Sequence, residues 1–351
     1  MRRLPLAFMV GLLTLSACAN DPTGDGSSPP DETPVAAKDS PSSSAPSPVA
    51  DPKADDPNSS CRGAATPPLG NGVHQMTISH DGQERSYRLF VPSSASEAKA
   101  LPLVLNFHGL SGTADGQANA SGLEDLAESD GFVAAHPQGT LNDDGLTFWD
   151  FLDTAPVDDV SFISAVIDDI GTAICIDAVR VYAMGHSNGG YLSSRLACDL
   201  SERITAVATV AATIHPDDCT PPRSVPLVAF HGTGDNIVPF DGGPSLFLGG
   251  QTADQFEPSN PQEQFLDYLF GLSIPTEVEE WADHNGCERT PETQLVDEAV
   301  NTSVISYQNC AAPTLLYVIE GGGHGWPTPH DSIDATTTAW AFLAAHQSPT
   351  E

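Results

Sequence analysis

The stretch Gly185-His186-Ser187-Asn188-Gly189-Gly190 sets one serine among closely spaced glycines, directly after the apolar run Val179 to Met184. A serine hydroxyl is a weak nucleophile at neutral pH; it needs a base within hydrogen-bond reach and an acid to orient that base. Glycine two positions before and after the serine is what a very tight strand-to-helix turn requires. A side chain at either place would collide across the turn while the serine takes up strained dihedrals. Such a turn lifts Ser187 out at the carboxyl end of a sheet and aims the first amides of the next helix at the space above it, where they can stabilise an oxyanion. The G-x-S-x-G string alone is weak evidence, and its place between an apolar strand and a helical run gives it weight.

In a fold built around such a turn the chain order is serine, then an acid, then histidine, each just past a later strand. Val225 to Phe230 leads into His231-Gly232-Thr233-Gly234-Asp235-Asn236, and Leu315 to Ile319 leads into Glu320-Gly321-Gly322-Gly323-His324-Gly325-Trp326-Pro327. The expected catalytic set is therefore Ser187 as nucleophile, His324 as base and Asp235 as the acid, with Asp241 as the substitute acid. The backbone amide of Asn188 is one expected oxyanion donor, and that of Leu110, in His108-Gly109-Leu110-Ser111-Gly112, is the other. His231 is expected to shape its loop, and His186 to pack beside the nucleophile. His215, His284 and His330 have no partner at a suggestive spacing. Trp149 and Trp326, with His108, are the candidate cleft residues. The tryptophans would offer a flat apolar wall for an aromatic acid, a sugar or a polyester chain, the alternative being core packing.

These side chains need a scaffold. His74 to Ser79 and Arg85 to Val91 flank Asp81-Gly82, which predicts a hairpin. Leu101 to Phe107 is a solid apolar run that suits a strand covered on both faces. Short strands are expected at Gly131 to Ala135, Val179 to Met184, Ile204 to Val210, Val225 to Phe230 and Leu315 to Ile319. Helices are expected around Leu123 to Ala127, over Val160 to Ile174 and over Thr336 to Ala345. Alternating strands and helices predict an α/β fold: a mostly parallel sheet with helices on both faces, entered by an antiparallel hairpin. Asp241 to Phe265, rich in Gly, Pro and Gln, is expected to be a loop-rich excursion near the substrate cleft or part of a lid.

The chain opens with Arg2-Arg3 and an apolar stretch too short to span a bilayer, the pattern of a signal peptide over residues 1–17. Leu15-Ser16-Ala17-Cys18 resembles the bacterial lipobox, so Cys18 is the expected lipidation site and anchors the chain to a membrane or cell surface. Residues 18–60 carry Pro, Ser, Asp and Ala with almost no large apolar side chain, which predicts a disordered tether. Residues 61–351 are long enough for one catalytic domain. With 47 acidic against 13 basic residues the formal net charge is −34, which excludes nucleic acid and polyanionic substrates as partners. Of the 7 cysteines, those after Cys18 form an even set in an exported chain, which favours disulfides, and no cysteine-histidine spacing favours a metal. Sequence neighbourhood suggests Cys198–Cys219 and Cys287–Cys310, which leaves Cys61–Cys175.

Several stretches together resemble the secreted esterases grouped with polyhydroxybutyrate depolymerases, feruloyl esterases and acetyl xylan esterases. They are Arg85-Ser86-Tyr87 to Val91-Pro92, LVLNFHGLSG, GFVAAHPQG, CIDAVRVYAMGHSNGGYLSSRLAC, VAFHGTGDNIVPF and IEGGGHGWP. The resemblance implies an α/β-hydrolase fold, carries nucleophile, acid and base onto Ser187, Asp235 and His324, and supports the same three cysteine pairs. One departure is Thr328 after the final motif's proline, where the family usually has glycine. The expectation is an extracytoplasmic serine esterase, taken as a monomer, that needs no cofactor and no metal. It would act on a neutral polymeric or oligomeric ester: a feruloylated or acetylated wall polysaccharide, or a poly(3-hydroxybutyrate)-type polyester. A serine peptidase or an inactive surface-binding lipoprotein are the rivals.

Overall fold

A computed structural model of the chain describes residues 69–349 apart from 97–98, 143, 154, 244–271, 298–300 and 330–332. The expected signal peptide, Cys18, the tether, Cys61, His330 and most of the Asp241 to Phe265 excursion lie outside the described residues.

Among the described residues a ten-stranded sheet runs in the order β1-β2-β4-β3-β7-β8-β9-β12-β11-β10. β1 (Gly72–His80) and β2 (Gln83–Val91) form the expected hairpin about Asp81-Gly82. β3 (Leu101–Phe107), β4 (Val133–Pro137), β7 (Ile176–His186), β8 (Ala206–Val210), β9 (Leu227–Gly232) and β12 (Thr314–Ile319) pair in parallel and make the middle of the sheet. Two strands that the sequence pattern does not announce, β10 (Glu288–Asp297) and β11 (Thr302–Gln308), extend the far edge in antiparallel fashion. A small ribbon, β5 (Thr140–Leu141) with β6 (Thr147–Phe148), stands apart from the sheet.

The apolar runs of the central strands are continuous because both faces are covered. Leu103, Leu105, Phe107, Val181, Ala183, Leu227 and Ala229 face one core, where α3 (Asp159–Ala173), α4 (Asn188–Asp199) and α5 (Ile274–His284) pack. Their neighbours Val104, Tyr182, Met184, Val228 and Phe230 face a second core with α2 (Leu123–Asp130) and α6 (Ala335–Ala344). Strand side chains alternate, so one apolar run serves two cores. A helix that the sequence reading does not expect, α1 (Ala114–Ser121), precedes α2, with Thr113 capping it by accepting from the Gly116 amide.

Cys198 pairs with Cys219 and Cys287 with Cys310, as sequence neighbourhood suggests. Closing loops of 21 and 23 residues stabilises by about 3 kcal/mol each in the chain-entropy account. Cys175 is also disulfide-bonded.

Candidate active site

β7 delivers the nucleophile turn. Ser187 sits between β7 and α4 with φ 54° and ψ −121°, a conformation that a non-glycine residue keeps only where its surroundings over-determine it. Here the Ser187 amide donates to the Val210 carbonyl (2.8 Å), and the Ser187 carbonyl accepts from the Gly190 (2.7 Å) and Tyr191 (3.1 Å) amides. A Cβ on Gly185 would strike the Gly189 carbonyl, and one on Gly189 would strike the Phe107 carbonyl at the end of β3. The collisions expected from the sequence are thus real, and the second also holds the turn against the neighbouring strand.

Asp235 and His324 follow β9 and β12, which pair in parallel. Their loops interlock: the Gly234 amide donates to the Gly322 carbonyl (2.9 Å), Thr233 to Ile319 (3.0 Å), and the Gly321 amide to Thr233 Oγ1 (2.8 Å). A Cβ on Gly232 would land on the Gly322 backbone, so the glycine content of both loops permits this approach.

The result is a continuous hydrogen-bonded chain. His324 Nδ1 donates to Asp235 Oδ2 at 2.7 Å, and His324 Nε2 accepts from Ser187 Oγ at 2.9 Å. The carboxylate only accepts, so it places the imidazole proton on Nδ1 and leaves the Nε2 lone pair facing the hydroxyl. Asp235 Oδ1 accepts from the Ile237 (2.9 Å) and Val238 (3.0 Å) amides. Burial pushes the Asp235 carboxyl up, but hydrogen bonds from His231 and His324, the charge of His324 and the Ile237 amide outweigh it and hold the group well below the usual carboxylate range. Asp241, the substitute acid, makes no hydrogen bond to His324.

Two histidines that the sequence reading treats as packing or loop-shaping residues brace this chain. His231 Nε2 donates to the Val238 carbonyl (2.9 Å) and lies 3.2 Å from Asp235 Oδ2. His186 Nε2 donates to the His324 carbonyl (2.8 Å), tying the nucleophile turn to the base loop. Burial and the nearby His324 lower His186 to about 4, so it stays a neutral donor at neutral pH. Sequence spacing gives no sign of either bond, because both partners are backbone carbonyls.

On the other side of Ser187, His108 Nδ1 donates to the Gly109 carbonyl (2.7 Å), which also accepts from the Gly112 amide (2.9 Å). Both bonds fix the peptide whose nitrogen belongs to Leu110. Asn188 opens α4, so its amide has no intrahelical acceptor. The loop is close to the nucleophile: a Cβ on Gly109 would stand 3.2 Å from Ser187 Cβ.

Two cleft expectations need correction. Trp149 is 1% exposed: its indole donates to the His108 carbonyl (2.9 Å) and packs edge-on against Phe107, so it is core and not a wall. Its backbone pairs with the Asn188 side chain in both directions, at 2.7 and 3.0 Å, which locks the β6 loop to the nucleophile helix. His108 is likewise 1% exposed; its Nε2 accepts from the Gly139 amide (3.0 Å), and burial lowers its basicity. It supports the loop from behind and does not line a cleft. Trp326 is half-buried, its indole donates to Thr336 Oγ1 (2.9 Å), and it borders a cavity of about 470 Å³ lined also by Asn119, Asp125, Leu126, Thr328 and Asp334.

A family model described as esterase PHB depolymerase matches residues 85–220, which include the nucleophile turn. Feruloyl esterase B of Piromyces equi is 29% identical over 240 residues, covering 66% of this chain; the chain spans 41% of that protein's length. A protein of Nocardia uniformis subsp. tsuyamanensis named "Putative esterase NocK" is 30% identical over 261 residues, covering 70% of this chain and 72% of the relative. The solved structure of the acetyl xylan esterase from Aspergillus awamori matches with a TM-score of 0.54 at 15% identity, covering 78% of this chain and 99% of that one. At that identity the likeness speaks to the fold, which is that of the α/β-hydrolases. From the match to NocK over most of its length and the family model across the nucleophile turn, the chain belongs to the esterase PHB depolymerase family.

Proposed function

We propose that the protein is an extracytoplasmic serine carboxylic-ester hydrolase of plant-cell-wall esters, of the feruloyl or acetyl xylan esterase type. The observation that carries this reading is the unbroken chain from Ser187 Oγ through the His324 imidazole to Asp235. Ser187 Oγ attacks the ester carbonyl while His324 Nε2 takes its proton, and Asp235 stabilises the imidazolium. The Leu110 and Asn188 amides stabilise the tetrahedral oxyanion. The imidazolium then returns the proton to the leaving alkoxide, and water releases the acyl group from Ser187 by the same steps. These steps need no cofactor. Lipidation of Cys18 would hold the domain at a membrane or cell surface, and incorporation of labelled palmitate into the exported protein tests that part separately.

Ser187→Ala is expected to lower kcat/KM on methyl ferulate or acetylated xylan by roughly 10⁴-fold or more, with loss of fluorophosphonate labelling. Near-normal hydrolysis by that variant overturns the mechanism. A polyester reading has one observation in its favour. Leu110, Leu141 and Leu146, on the oxyanion loop and the β5–β6 ribbon joined to it through Ser111 and Thr147, are 38%, 66% and 39% exposed. Assays on methyl ferulate, acetylated xylan and poly(3-hydroxybutyrate) film separate the two readings, and activity on the film alone reverses the preference.

A further inference from the structure

His215 and His284 lie far apart in sequence, yet the fold sets their ring centres 5.4 Å apart. His215 is in the loop between β8 and β9, and His284 ends α5. One ligand atom from each, together with Cys219 Sγ, falls within a mutual 4.8 Å. His215 Nε2 is buried with no hydrogen-bond partner among the described residues, and its other ring nitrogen, Nδ1, stands 3.9 Å from Glu280 Oε2. Trp281 meets both rings edge-on, at 5.0 and 5.8 Å, and so limits how far they can turn.

We propose that this cluster is a binding site for a single divalent transition-metal ion of the zinc class, held by His215, His284 and the Glu280 carboxylate, with water completing the shell. Two imidazoles on one tetrahedral zinc, at a metal–nitrogen distance of about 2.0–2.1 Å, place their ring centres roughly 5 Å apart, which matches the separation found. Glu280 and His284 are four residues apart on α5 and share a face. Glu280 is half exposed and stands on the Nδ1 side of His215. Cys219 is bonded to Cys198, so its sulfur is no thiolate; it forms a wall of the site and is not a ligand. The surrounding charge favours a dication: Asp217 acts on His215 and on Glu277, and Glu280 acts on Glu277 as well. The site joins the loop braced by Cys198–Cys219 to α5, whose first residue, Ile274, donates to the Phe240 carbonyl beyond Asp235. Its role is therefore to tie the nucleophile helix to the segment carrying the acid, and it does not rest on the esterase reading.

The test is Zn²⁺ titration of the disulfide-intact protein in excess Mg²⁺, which occupies the acidic surface, followed by calorimetry and by melting with and without Zn²⁺. One ion is expected to bind and raise Tm by several degrees. His284→Ala is expected to lose about 100-fold in affinity together with the Tm rise, and Glu280→Gln about tenfold. Because His284 is partly exposed, its replacement leaves the core intact, and the metal-free melt of the variant verifies this. Co²⁺ in place of Zn²⁺ is expected to show a ligand-field spectrum without a sulfur-to-cobalt charge-transfer band. No binding under excess Mg²⁺, or binding unchanged in His284→Ala, overturns the site. A thiolate band overturns this ligand set.

Discussion

His324 and His215 both follow strands of the same sheet, but their surroundings differ. Each ring nitrogen of His324 is matched, one to a carboxylate and one to a hydroxyl, and even its carbonyl is held by His186. His215 has one ring nitrogen buried without a partner among the described residues and the other at 3.9 Å from a half-exposed carboxylate. An imidazole whose two nitrogens are committed in opposite senses has a fixed tautomer and is ready to move a proton along one line. His215 stands instead beside a second imidazole and a carboxylate, groups that can share a metal ion. The same residue type serves different chemistry because its neighbours do.

The sharpest way to break this comparison is at Asp235. Asp235→Asn would offer an amide donor to His324 Nδ1, force the wrong tautomer and lower kcat by about 10³–10⁴-fold, while Asp241→Asn leaves it within about twofold. Steady-state kinetics on one soluble ester decides it, and the reverse order would make Asp241 the acid. His186→Phe removes the donor to the His324 carbonyl and is expected to lower kcat about tenfold with KM little changed; His186→Gln, which can still donate, recovers part of the loss. Equal losses in both variants would mean that only volume matters at this position.

The smallest effect belongs to the second cluster. Glu277 accepts the His215 amide at 2.7 Å, and burial raises its carboxyl from 4.5 to about 7; the amide opposes this, and Glu280 and Asp217 add to it. The folded chain therefore binds more protons than the unfolded chain between those values, so this group's contribution to stability is lost as pH rises through the window. Glu277→Gln keeps an acceptor for the amide and cannot ionise. Its Tm is expected to fall less than that of the parent between pH 5 and pH 8, which parallel thermal melts measure.

The central strands were legible in the sequence because burial on both faces leaves an uninterrupted apolar run, as in Leu101–Phe107. The edge pair β10 and β11 was not. Glu288 to Val296 is polar and exposed along most of its length and takes its strand geometry from pairing with β11. Helix α1 also escaped, since Ala114–Ser121 is mostly small and polar residues without a clear apolar face. The candidate residues Ser187, Asp235 and His324 were legible because each follows an apolar run and stands in a glycine-rich loop; Gly185 and Gly189 answer to the tight turn, and Gly232 and Gly234 to the close approach of the two later loops. The sequence leaves Trp149 open between cleft wall and core because an indole's type does not reveal which way its strand or loop faces; at 1% exposure it is core.

By itself the sequence determined the order of the central strands, the tight turn at Ser187 and the places of Asp235 and His324 just past later strands, because apolar periodicity and glycine placement are local properties. Only the tertiary structure decided the lengths of the bonds among those three side chains and the bracing by His186 and His231. It also decided the meeting of His215 with His284, residues that chain order keeps far apart. Those are distances through space, set by the pairing of β9 with β12 and by α5 packing beside the loop after β8, and no spacing along the chain encodes them.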